Sequence, residues 1–86
     1  TTPDYLEIAH NSETGYHMGV YLCIGQPIHQ VTPSDAVPFS NYGSFAKIQS
    51  ALVEEDSVFI YLGSGTHKIK KKAEQEACEQ ALQILG

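Results

Sequence analysis

The sequence predicts a single small α+β domain, a few antiparallel strands closed by one covering helix. Three observations carry that prediction. Two short alternating segments, 4–10 and 17–25, are joined by turn residues, a β-branched and aromatic run follows at 57–62, and a helical period then runs to about Leu85. With 86 residues there is room for one core, and 42% hydrophobic residues suffice to fill it. The 17% of charged residues is too low for a disordered tail.

Each element has a local reason. In "DYLEIAH" Leu6 and Ile8 share one face, while Tyr5, Glu7 and Ala9 share the other, the pattern of a half-buried strand. Asn11, Ser12 and Gly15 in "NSETG" are turn formers. In "HMGVYLCIG" Val20, Leu22 and Ile24 oppose Tyr21 and Cys23, so the two strands are expected to pair as an antiparallel hairpin. Residues 26–56 hold three of the four prolines and read as mostly irregular. Within them, 44–55 is a candidate helix with Ser44 as its N-cap and Phe45, Ile48 and Leu52 on one stripe. "SVFIYL" at 57–62 is a strand that "GSGT" is expected to end. In the last helix Ile69, Ala73, Ala77, Ala81, Ile84 and Leu85 share a broad apolar face, edged by Cys78 and Leu82. Lys68, Lys71, Lys72 and Gln75 fall on the opposite side, and the small alanines would let the helix backbone lie close to a sheet.

No apolar run approaches the roughly 18 residues of a membrane span, so no membrane partner is expected. "TTPDYLEIAH" has neither the basic start nor the apolar stretch of a signal peptide. It lacks an initiator methionine, and the chain is expected to be a piece of a longer protein. Cys23 and Cys78 are too few for a disulfide framework, which makes a reduced intracellular setting, nucleus or cytoplasm, the expectation.

Charge is distributed unevenly. The formal net charge is −5 and there is no arginine, yet four of the five lysines stand at 68, 70, 71 and 72. A whole-protein field of that sign repels nucleic acid, but screening at physiological salt confines it to about 8 Å, so a local cluster governs its own surroundings. The amino end of a helix already exposes unpaired N–H groups and the positive pole of the helix dipole. Lysines there cost helix stability, and an anion would relieve that cost. A glycine-bearing loop feeding such a helix start is a phosphate site in chemical terms. The ordinary alternative is a solvated lysine face.

The stretch "GSGTHKIKKKAEQEACEQALQIL" resembles the carboxyl end of a double-stranded-RNA-binding domain, particularly those attached to ribonuclease III and Dicer-type enzymes. Gly63 and Gly65 match the family's Gly-x-Gly loop, here about two residues longer than usual, and Lys70, Lys71 and Ala73 match its helix start. Glu74, Gln75, Ala77, Ala81 and Leu82 continue the match, with Cys78 where an alanine is usual. At the front, Pro3 and Tyr5 fit the opening of the first strand, and "TGYH" keeps the turn histidine as His17 while moving the glycine to Gly15 and lacking the proline. The resemblance covers the chain apart from 26–56. It implies a three-stranded antiparallel sheet with the carboxyl-terminal helix packed on one face. It also makes 26–56 an insertion between the second and third strands. The family's first helix, which packs beside the last one, has no counterpart before Asp4. Either it was cut away, or 44–55 packs in or near its place.

The function implied is non-catalytic. A-form RNA has a deep, narrow major groove that side chains do not read, so recognition falls to shape, phosphates and 2′-hydroxyls over about 16 base pairs. Lys70 and Lys71, with Lys68 and Lys72, would bridge phosphates, while His17 and the Tyr16 backbone would reach 2′-hydroxyls, and Thr66 and His67 complete the expected set. The expected partner is double-stranded RNA, with no cofactor and no metal. A protein-interaction or dimerisation module acting through the sheet or insertion, or a structural domain of a ribonucleoprotein, is the alternative. Other chemistry finds weaker support. His10, His17, Cys23, His29, His67 and Cys78 follow no zinc-ligand spacing, and Glu54, Glu55 and Asp56 read as an acidic helix end rather than a two-metal nuclease centre.

Overall fold

A computed structural model describes residues 3–85. The order is β1 (Asp4–Asn11), β2 (Gly15–Ile24), β3 (Val37–Pro38), α1 (Phe45–Glu55), β4 (Val58–His67) and α2 (Lys70–Leu85). Among the described residues no helix is long and apolar enough to cross a membrane. The α+β class and the antiparallel β1–β2–β4 arrangement are as the periodicity predicts. The sheet itself differs from the three-stranded expectation: it is four-stranded and mixed, because Val37 and Pro38 pair parallel with Ile60 and Tyr61 on the outer edge of β4. Segment 26–56 is also less irregular than its prolines suggest. It forms short 3-10 turns at Ile28–Gln30, Pro33–Asp35 and Phe39–Asn41 before α1 begins.

The β1–β2 hairpin is set by its turn, where the Asn11 side-chain oxygen accepts from the N–H groups of Glu13 and Thr14 at 2.9 and 2.7 Å. Bulges interrupt both long pairings, one between Glu7 and Ala9 and one in β4 opposite Val20 and Tyr21. The second resets the alternation of β4. Ile60 and Leu62 face the helices before it, and Gly63 and Gly65 face α2 after it. "GSGT" therefore does not end the strand, which runs on to His67.

The reason lies in α2. A Cβ at Gly63 would stand 2.7 Å from the Ala81 nitrogen and 2.8 Å from the Ala77 oxygen. One at Gly65 would stand 2.5 Å from the Ala73 oxygen and 2.7 Å from the Ala77 nitrogen. Ala73, Ala77 and Ala81 are buried on the facing strip. Glycine opposite alanine is what this separation admits, and the same residues that look like a loop are a strand floor under a helix. One flank is fastened by polar contacts. Gln80 accepts from the Ser64 N–H at 2.8 Å and the Tyr61 hydroxyl at 3.1 Å, covering the edge of β4 beyond β3. On the other side of the helix, burial first, then Cys78, pushes the Tyr5 phenol up.

The apolar face of α2 is narrower than the helical period implies. Ile69 precedes the helix and is exposed, as are Leu82 and Ile84. Three alanines so close to the sheet leave no depth for larger neighbours at the ends of the strip. The remaining apolar volume comes from α1, which lies on the same face. Ile48 is buried in one cluster with Val20, Leu22, Phe39, Val58, Ile60 and Leu62, with Leu52 half-buried beside it. Phe45 is exposed but keeps contact with Phe39 at a centroid distance of 5.7 Å. Ser44 caps α1 by accepting from the Lys47 N–H at 3.4 Å. On the alternate face of the sheet Tyr21, only 1% exposed, packs against Phe59 and Tyr61 at 5.2 and 5.8 Å.

Two outcomes follow from this packing. Ile48→Ala is expected to cost about 2–5 kcal/mol, while Val53→Ala on the exposed side of α1 stays within about 0.5 kcal/mol, read from urea denaturation. Burial, with the Tyr61 phenol adding to it, holds the Tyr21 phenol above its ordinary 10.0. The unfolded chain therefore ionises first, so Tyr21's contribution is complete below pH 10.0 and is lost as the pH rises beyond it. Parallel denaturation curves should show the parent falling relative to Tyr21→Phe only in that alkaline range.

Candidate nucleic-acid interface

The β2–β4 register places Tyr16 opposite His67 and His17 opposite Thr66, at the end of the sheet from which β4 passes into α2. Lys68 and Ile69 form the link, and Lys70, Lys71 and Lys72 occupy the first turn of α2, all four lysines exposed. Lys68 thus lies just outside the helix that the period assigned it to. All eight expected residues meet at one end of the molecule. They divide between two faces, however. Tyr16 and His67 share the face that carries α2, and His17 and Thr66 share the other, because neighbours along a strand alternate.

The hairpin turn is pressed directly against the lysine link. Gly15 has φ +85°, and a Cβ there would collide with the Lys68 Cα and stand 2.5 Å from the His67 oxygen. This contact, rather than any side chain, holds Tyr16 and His17 beside the lysines. The helix start is organised by its own backbone and by His67. The N–H groups of Lys72 and Ala73 both reach the Ile69 oxygen at 3.0 Å, and the Ile69 N–H donates to His67 Nδ1 at 2.9 Å. With Nδ1 accepting that bond, Nε2 is the ring nitrogen left to donate. Gly63 and Gly65 lie beneath α2 within β4, so the glycine phosphate loop expected there does not form.

What the arrangement offers chemically is four ammonium groups, the unpaired N–H groups of a first helical turn, and imidazole and phenol hydrogen-bonding groups, all within one end of an acidic domain. Sequence reasoning weighed His10 only as a metal-ligand type and did not place it at this end. It is paired with Tyr16 across β1 and β2, and the two rings stack at 3.9 Å with 7° between their planes. The symmetric hairpin count around Glu13 was the available signal, since it puts His10 opposite Tyr16.

Gly15→Ala should destabilise the fold by at least about 1 kcal/mol through the left-handed backbone alone, with the collision added. Lys70→Ala and Lys71→Ala should leave the denaturation midpoint unchanged or slightly raised, since they remove cations from the positive pole of α2.

The chain matches no protein-family model, no curated protein and no solved structure.

Proposed function

We propose that this domain binds double-stranded RNA without catalysis, reading duplex shape and backbone as an accessory part of an RNA-processing enzyme of the ribonuclease III or Dicer type. The observation that carries the reading is the convergence of Lys68, Lys70, Lys71 and Lys72 with Tyr16, His17, Thr66 and His67 at one end of the sheet. An acidic chain that gathers four of its five lysines there has an anion-directed surface rather than a general polyanion field. The lysines meet phosphates, and His17 with the Tyr16 backbone meets 2′-hydroxyls, which are the groups that distinguish RNA from DNA.

The test is a comparison of an RNA duplex of about 20 base pairs, long enough for the roughly 16 that such a domain spans, with DNA of the same sequence. RNA should bind more tightly and without sequence preference. Lys70→Ala and Lys71→Ala should each weaken binding and flatten the log–log salt dependence by about one unit. Equal affinity for both duplexes, or lysine variants that bind like the parent, would replace this reading with that of a protein-interaction module.

A further inference from the structure

We infer that His10 and Tyr16 form a stacking platform for an unpaired nucleobase flanking the bound duplex. The inference rests on the RNA-binding reading and names a feature of the substrate that the lysines do not select. His10 is exposed near the end of β1, and β1 is an edge strand whose only neighbour in the sheet, among the described residues, is β2. One face of its ring lies on Tyr16, 3.9 Å away and nearly parallel. The other face is turned away from Tyr16, toward the sheet edge, where no strand follows among the described residues.

A flat ring already held by a second ring is a surface on which a third can stack with little further ordering. Bases inside a duplex have both faces occupied by their neighbours, so the available occupant is an unpaired base. The platform is also in the right place. Tyr16 is the strand partner of His67, and His67 leads directly into Lys68 and the lysines of α2. Adjacent strands lie about 4.8 Å apart, so the backbones of His10 and His67 are separated by about 10 Å. An RNA strand whose phosphates engage the lysines has its next nucleotides within reach of His10. Stacking of this kind tolerates any base and contributes on the order of fivefold in affinity or more for each base.

A pair that merely stiffened the hairpin would alter stability without altering substrate choice, so the decisive readout is a preference. Fluorescence anisotropy with this chain would compare a blunt RNA duplex of about 20 base pairs with the same duplex bearing a short unpaired adenosine extension. The parent is expected to favour the extended RNA by about fivefold or more. His10→Ala should bind the extended duplex no better than the blunt one, and His10→Phe, which keeps a ring, should retain the preference. His10→Thr, which suits a strand and removes the ring, serves if the alanine variant unfolds. A parent that does not distinguish the two RNAs, or a His10→Ala variant that still does, overturns the platform while leaving duplex binding standing. A parent that binds neither RNA overturns both.

Discussion

The close approach of β4 to α2 is the constraint on which the rest of the structure depends. Gly63 and Gly65 offer bare backbone, and Ala73, Ala77 and Ala81 present a strip one methyl deep. The contact is therefore nearly backbone to backbone, and it admits only small changes on either side. It sets the height of α2 above the sheet and its position along β4. Because β4 passes into α2 through a short link, that position also decides where the first turn of the helix stands. The lysines of that turn lie beside the β1–β2 hairpin because glycine faces alanine several residues away.

A core built on alanines is shallow, and the domain supplies the missing apolar volume from elsewhere. Ile48 of α1 and Phe39 of the preceding turn enter the same cluster as Val20, Leu22 and Ile60. Segment 26–56 thus completes the cover of the helix-bearing face. Two of its residues also extend the sheet as β3. Its contribution is structural as well as spatial. It lies at the opposite end of the strands from the hairpin, since β2 finishes and β4 starts beside it, so the lysine end stays open.

The electrostatic arrangement follows the same division. An acidic domain concentrates its cations where the helix dipole least favours them, and no glycine loop is present to soften the site. The helix start is stabilised instead by Ile69 and His67, which use backbone and imidazole rather than a carboxylate cap. A carboxylate at that position would satisfy the dipole and cancel the local charge. Leaving it out keeps the positive charge of the helix start uncancelled, at the expense of some helix stability.

Local periodicity determined most of the elements. The alternation in β1 and β2, the turn chemistry of Asn11 and Gly15, the Ser44 cap and the alanine spacing of α2 are short-range properties, and each appears where its pattern stands. The clustering of lysines was equally legible, because it is a matter of position along the chain. Tertiary structure decided three things. Gly63 and Gly65 read as a loop in isolation, and only the helix lying over them makes them strand. Ile69, Ile84 and Leu82 fall on the apolar side of the helical period, yet a strip of alanines pressed to a sheet has no room to bury them. Val37 and Pro38 carry no strand signal and pair only because the edge of β4 is free at Ile60 and Tyr61. The same holds for the candidate interface: the sequence lists its residues, but the register of β2 on β4 and the contact of Gly15 with Lys68 bring them to one end. Pairing and close approach are relations between distant segments, and no local pattern encodes them.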